Sequence, residues 1–412
     1  MSTTISPLAP QHVPDTPAID GVRLATAQAG IRYAGRTDVL LALFDEGTTA
    51  AGVFTRSKCP SAPVEWCRAQ LKSGKSAKDL PRALVVNSGN ANAFTGKSGR
   101  AATRLTAEIA AKAAHCKPGQ VFLASTGVIG VPLPDARIRA ALPAARARLS
   151  AGGLDAASHA ILTTDVGPKV AAAAFRAGGR RGRVVGFAKG AGMIHPDMAT
   201  MLAFLMTDAE IPPPFLKAAL RRAADETFNA ISVDGDTSTN DTVLLLASGA
   251  SGAPRIGGAA DAGDFKSALL SVCRELAWRI VRDGEGATRV MEVLVRGAAN
   301  ERDARLAAHA VATSPLVKTA LHGGDPNWGR ILAAVGRSGA RISPARAHLA
   351  AGPLCLVEGG LPVSYRERDA ARIFARERVP ITIDLGVGAA RARVLTSDLG
   401  HDYVSLNADY RS

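Results

Sequence analysis

The stretch that most constrains this chain is residues 183–210, RVVGFAKGAGMIHPDMATMLAFLMTDAE. Val184, Val185 and Phe187 form a short apolar run that predicts a strand ending at Lys189. A glycine-punctuated loop follows, Gly190-Ala191-Gly192, and then the turn-forming His195-Pro196-Asp197. The chain next enters Ala199 to Met206, a run that carries one hydroxyl, Thr200, near its start. Short apolar runs bounded by turn signals suit fully buried strands, although a buried helix segment shares their periodicity. Thr200 is therefore placed where a loop meets a buried strand, with the small Ala199 before it.

A threonine at such a junction has two readings. β-Branched residues suit strands, so Thr200 can simply open the strand and satisfy its hydroxyl locally. Alternatively, the hydroxyl attacks the Ala199 carbonyl, the acyl group shifts from nitrogen to oxygen, and water releases two chains. The new terminal amine, with a reference pKa of about 7.7–8.0, would then act as general base for its own hydroxyl. Local physics permits both.

Composition narrows the class. At 412 residues the chain exceeds one ordinary core, and its length suggests two or three domains. Abundant aliphatic residues, few aromatics and many glycines point to a soluble α/β protein. The formal charge of +14 is spread over scattered Lys and Arg, with no basic run interleaved with aromatics. That argues against a nucleic-acid partner and for a basic field that attracts anionic metabolites. Cys59, Cys67, Cys116, Cys273 and Cys355 are odd in number and contain no Cys-x-x-Cys, which speaks for a reducing cytoplasm and against a zinc site. The first twenty residues lack signal-peptide character, and no uncharged segment has the length of a membrane span.

Along the chain, residues 1–16 read as a flexible leader. Thr37–Phe44 and Ala50–Thr55, separated by Asp45-Glu46-Gly47, predict a hairpin of buried strands. Helices are expected over 64–74, 99–115, 135–150, 212–228 and 265–282, the last with Asp264 as N-cap. Strands are expected over 83–87, 121–125, 290–295, 380–385 and 392–396. The strand from Val121 ends in Ser125-Thr126-Gly127, where backbone N–H groups could approach a ligand and stabilise an oxyanion, or merely close a strand. The acid-rich loop Val233–Asp241 is no calcium loop, because its sixth and twelfth positions are Thr239 and Leu245. Glu285, held between Gly284 and Gly286, is either a solvated turn acid or a carboxylate open to a ligand. Gly323–Arg330 lacks the Gly-Lys-Ser/Thr ending of a phosphate loop.

The run Lys189-Gly-Ala-Gly-Met-Ile-His-Pro-Asp-Met-Ala-Thr-Met-Leu202 resembles the cleavage-site signature of the ornithine acetyltransferase family. The likeness extends over about residues 17–412, through Ser125–Gly130, Thr163-Thr164-Asp165, Asp234–Asp241, Asp283–Arg289, Thr313–Ala320, Gly323–Arg330 and the tail Tyr403–Ser412. It implies an α/β fold, a layered α/β sandwich with a self-cleaving site of the N-terminal-nucleophile kind. It also implies cleavage between Ala199 and Thr200 into an α chain, 17–199 behind the leader, and a β chain, 200–412, intertwined as one catalytic unit in an α2β2 heterotetramer. Thr200 would be the nucleophile, Thr126 and Gly127 the oxyanion hole, and Thr163, Lys189, Thr200, Glu285, Asn407 and Ser412 the substrate contacts.

The implied reaction moves an acetyl group from N2-acetyl-L-ornithine to L-glutamate, in ping-pong fashion, within cytoplasmic arginine biosynthesis. No metal or bound cofactor is implied, and acetyl-CoA stays open as a second acetyl donor. The chain departs from the family pattern at Val166, where a threonine is usual, and at His195 and Asp197, read as loop variation. Ser412 replaces a frequent threonine and keeps the hydroxyl. Two rivals stand beside this reading: a self-processing amidohydrolase or aminopeptidase, and a non-enzymatic basic binding protein.

Overall fold

The computed structural model describes residues 6–72, 81–195, 201–253, 255–257 and 259–409. Its first part runs β1 (Val22–Ala27), β2 (Val39–Phe44), β3 (Thr49–Phe54), α1 (Ala62–Lys72), β4 (Ala83–Asn90), α2 (Gly96–Ala114), β5 (Val121–Val128), α3 (Asp135–Ala147) and α4 (Leu154–Ala160). The middle contains β6 (Lys169–Ala177), β7 (Arg180–Lys189), β8 (Leu202–Thr207), α5 (Pro213–Glu226), β9 (Ile231–Ser232), β10 (Thr242–Ala247) and α6 (Ala259–Arg282). After it come β11 (Val290–Ala298), α7 (Glu301–Ala312), α8 (Pro315–His322), α9 (Trp328–Gly336), β12 (His348–Ala351), β13 (Leu354–Glu358) and β14 (Leu361–Pro362). The chain closes with α10 (Glu367–Phe374), β15 (Arg378–Asp384), β16 (Ala390–Ser397) and α11 (His401–Asp409).

These strands form three sheets, ordered β1-β2-β4-β5, β3-β10-β8-β7-β6 and β14-β13-β12-β15-β11-β16-β9. The alternation of side chains along each strand decides how the first two stack. Leu40, Ala42 and Phe44 of β2 pack with Phe187, Leu202, Phe204 and Met206 of the second sheet. The odd partners Val39, Leu41 and Leu43 face Ala107, Ala110, Ile138 and Leu142 on α2 and α3. On the far side, Val184, Ala203, Leu205 and Val243 pack against Leu216 and Leu220 of α5 and Leu269, Val272 and Leu276 of α6. The result is helix, sheet, sheet, helix: the layered sandwich the resemblance implies. Strands covered on both faces must be almost wholly apolar, as β2, β8 and β10 are, with Thr207 and Thr242 only at strand ends. Each large side chain so buried contributes roughly 1.5–3 kcal/mol. The third sheet has its own core with α7, α9 and α10.

Three expectations are corrected. β2 and β3 do not form a hairpin: β2 pairs β1 and β4 in the first sheet, while β3 pairs β10 in the second. The Asp45–Gly47 turn carries the chain between layers, because each run is apolar enough to be an inner strand of a different sheet. The segment expected as a leader is docked over residues 6–10, while residues 11–16 are largely exposed. Leu8 and Ala9 are buried, and the Ser6 hydroxyl meets the Arg282 and Ala287 carbonyls at 3.0 and 2.9 Å. Asp264 lies inside α6 rather than at its N-cap, since the helix begins at Ala259. The alanines before Asp264 are strong helix formers and extend it.

β7 and β8 are antiparallel neighbours, with Lys189 opposite Leu202. β8 in turn runs parallel to β10, with Leu202 beside Thr242. The central loop thus leaves and re-enters the same end of one sheet, beside the ends of β5 and α6.

Candidate active site

Six of the residues singled out in the sequence converge there. Thr126 and Gly127 come from β5, Thr163 from the loop after α4, Lys189 from the end of β7, Glu285 from the turn after α6, and Asn407 from α11. Together with Gly192, Ser238 and Asn240 they line a cavity of about 90 Å³. A cleft of about 410 Å³ between α1 and α2 is roomier, but it gathers surface residues such as Glu65 and Arg100 rather than buried polar groups. Chemistry, not volume, singles out the smaller one.

The cavity floor is a buried network of opposite charges. The Lys189 ammonium, 3% exposed, donates to Thr163 Oγ1 at 2.7 Å, reaches Thr126 Oγ1 at 3.5 Å, and pairs with Asp165 Oδ2 at 3.4 Å. Asp165 also pairs with Lys169 at 2.7 Å, and Lys169 pairs with Asp283 at 2.5 Å, with all three side chains fully buried. Burial alone would raise the Asp165 pKa, but the two ammonium groups outweigh it and hold the carboxyl below the usual range. For Lys169 burial works the other way, and Asp165 and Asp283 overcome it and push the ammonium up. The backbone is tied in as well: Gly190 N–H donates to Asp165 at 2.6 Å and Val166 N–H to Asp283 at 3.1 Å. Val166 thus serves through its amide, and its side chain is exposed.

Gly127 is held by close approach. Its φ is +129°, and a Cβ there would fall 2.3 Å from the Gly89 carbonyl carbon on β4. The β4–β5 register shifts at Gly89 and Asn90, so the ladder is irregular where the oxyanion donors are expected. Gly127→Ala must move one of these strands. Its kcat is expected to fall about 10²–10³-fold, the cost of losing one donor of the oxyanion hole that the resemblance implies, and steady-state kinetics on the purified variant will measure it.

The opposite wall is built by the tail. Asn407 Nδ2 donates to Glu285 Oε2 at 2.7 Å, and a Cβ at Gly192 would strike that same carboxylate at 2.6 Å. Gly286, at φ +69°, lets α11 dock, since a Cβ would lie 2.6 Å from Tyr403 N. Asp234 clamps the central loop by accepting N–H bonds from Met193 at 2.5 Å and Ile194 at 2.9 Å. The Tyr403 hydroxyl approaches the same carboxyl at 3.4 Å. Burial, with the nearby Glu285 and Asp236 charges, pushes Asp234 up to about 6 against the N–H bonds from Asp236 and Met193.

The His195 ring lies 6.0 Å from the ring of His309 on α7. Burial, His195 and Arg305 push His309 down to about 4. A buried neutral imidazole leaves stability unaffected above the unfolded pKa of about 6.5. Below that the unfolded chain binds the proton first, so stability is lost as pH falls towards 4. By pH 5 the loss should be about 2 kcal/mol. The urea midpoint of the wild type should drop between pH 7 and 5, and His309→Leu should flatten that drop.

Thr126, Gly127, Thr163, Lys189, Glu285 and Asn407 are therefore neighbours, while Ala199, Thr200, Asp197 and Ser412 lie outside the described residues. Sequence reasoning assigned no role to Asp165, Lys169, Asp234 or Asp241. Asp165 and Lys169 stood in view as an acid and a base four apart, but their partner Asp283 is more than a hundred residues away. Asp241 accepts the Met201 N–H at 3.2 Å, which no local pattern announces.

Residues 23–412 match the model of the ArgJ family. The chain is 53% identical, over the whole of both sequences, to the arginine biosynthesis bifunctional protein ArgJ of Nitrobacter winogradskyi. Among solved structures it resembles the ArgJ protein of Bacillus halodurans, at 41% identity and TM-score 0.49, over 50% of this chain and 98% of that one. It also resembles the ornithine acetyltransferase of Mycobacterium tuberculosis solved with ornithine, at 35% identity and TM-score 0.38, over 43% and 93% of the two chains. This chain belongs to the ArgJ family.

Proposed function

We propose that this enzyme transfers the acetyl group of N2-acetyl-L-ornithine to L-glutamate in arginine biosynthesis, through an acetyl ester on Thr200. The precursor cleaves between Ala199 and Thr200. The new amine acts as base for the Thr200 hydroxyl, and Thr126 and Gly127 receive the oxyanion. Lys189 meets the amino-acid carboxylate on its cavity side, with Thr163 and Ser412 as further contacts. Glu285, steadied by Asn407, takes the amino group. Ornithine leaves, glutamate enters the same cavity, and its amine removes the acetyl group. Acetyl-CoA serves as a second donor, which turnover of glutamate with acetyl-CoA alone will test. No metal or bound cofactor takes part, and the enzyme works in the cytoplasm.

The observation that carries this reading is the meeting of hydroxyls, an ammonium, a carboxylate and an amide from five separate segments at the end of β7 and β8. The cleaved chains hold together because β7 pairs β8 and β3 pairs β10 across the cleavage point. Two such units make an α2β2 heterotetramer. Initial rates with both substrates varied should give parallel double-reciprocal lines, and intersecting lines would sink the acetyl-enzyme. A hydrolase would instead release free acetate without glutamate.

A further inference from the structure

The site cavity holds about 90 Å³, far below the roughly 300–1,000 Å³ of a pocket that encloses a whole cofactor. An acetyl donor built on a nucleotide must therefore keep its carrier outside. One wall residue, Ala91, opens a loop that leads out: Ala91 is buried, while Phe94 is 67% exposed. Their Cα atoms lie within about 11 Å, the most that three residues can span. Phe94 is held there at a cost, since its φ is +55°, where bulky side chains rarely stand. The buried Asn92 enforces it, accepting from Thr95 Oγ1 at 2.8 Å and donating to the Gly99 carbonyl at 3.1 Å and Thr103 Oγ1 at 2.9 Å. Gly130 N–H ties the loop to the end of β5 by donating to the Ala93 carbonyl at 2.9 Å. Backbone strain kept in place by its surroundings clusters at ligand sites. Beside Phe94, two cavities of about 410 Å³ each share Ala62, Glu65 and Arg100 as walls, forming one trough between α1 and α2. Lys58, Lys97, Arg100 and Arg104 line it, against Glu65 as the one carboxylate among its lining residues. Arg100 engages Glu65 at 2.9 Å, and Arg104 lies 3.8 Å from Glu108. Lys58 and Lys97 make no ion pair among the described residues, so their charges are left to a ligand.

We propose that this trough binds the adenine-nucleotide end of a thioester acetyl donor, an inference that rests on the use of acetyl-CoA proposed above. The base stacks on Phe94, and the phosphates meet Lys58 and Lys97. The flexible arm passes over the Ala91–Phe94 loop and brings the acetyl group to the cavity. Any base has a π-face to lay on an exposed aromatic ring, and lysine binds phosphate as a point charge. N2-Acetyl-L-ornithine has neither base nor phosphate, so the trough serves one donor and not the other.

The test compares the two donors in Phe94→Asn and in Lys58→Glu/Lys97→Glu. Asparagine tolerates the left-handed backbone and removes the ring. The KM for acetyl-CoA should rise about 10-fold in the first and at least about 10-fold in the second. The KM and kcat with N2-acetyl-L-ornithine should stay at wild-type values. An unchanged KM for acetyl-CoA, or an equal loss with both donors, would overturn the proposal. A second measurement needs no turnover. Adenosine 3′,5′-bisphosphate, titrated into the wild type by calorimetry, should bind, and Phe94→Asn should weaken it about 10-fold. No binding to the wild type, or equal affinity in the variant, would also overturn the proposal. A wild type that acetylates no glutamate from acetyl-CoA is a failure of the earlier donor reading, visible as such, and the titration then decides the trough by itself.

Discussion

Thr200→Ala is expected to give one full-length chain of 42.5 kDa where the denatured wild type gives two, residues 1–199 and 200–412. Alanine has no hydroxyl to attack the preceding carbonyl, so the amide survives. The same change removes both the proposed nucleophile and the free amine that would serve as its base. Groups that act as one unit are lost as one, and removal of a nucleophile costs on the order of 10⁶ in kcat. Acetyl transfer should therefore fall below detection. The fold should persist, since the sheets and layers that surround the site do not depend on a chain break. Intact mass and a melting curve on the same sample separate these effects. A single wild-type species would mean that Thr200 keeps its amide, and the acetyl-threonine mechanism would fail.

Lys169→Met is expected to cost about 3–5 kcal/mol of stability, the penalty for breaking a buried ion pair by removing one partner. Methionine approximates the length of the stem but leaves Asp165 and Asp283 facing one another with Lys189 as the remaining cation. Both carboxylates are fully buried, so water cannot compensate. The damage should reach the site, because Asp165 also holds the Gly190 N–H and the Thr163 N–H at 3.1 Å. The denaturation midpoint will show the loss, and Lys169→Met/Asp283→Asn should recover part of it by removing the surplus charge. A drop below about 1 kcal/mol would mean that the network is far better solvated than its burial implies.

The two predictions differ in what made them legible. Thr200 is visible from the sequence, because a long motif surrounds it. Lys169 is not: it opens β6 directly after Pro168, and nothing nearby says that it will be fully buried. Its role depends on Asp283, brought to it by the end of α6. Asp234 and Asp241 lie between these cases. The density of acids and hydroxyls in Val233–Asp241 marks a special loop, but only the folded chain shows Asp234 holding Met193 and Ile194 while Asp241 holds Met201.

From the sequence alone come the mixed α/β class, most strands and helices, the family, and six residues that do share one cavity. Local patterns suffice for these, because alternation along a strand and spacing along a helix are properties of neighbours. Tertiary structure decided that β2 and β3 enter different sheets, that Leu8 is core rather than leader, and which buried acid meets which base. Alternation says that a strand has two covered faces but not what covers them. A charge says nothing of its burial until distant segments close over it.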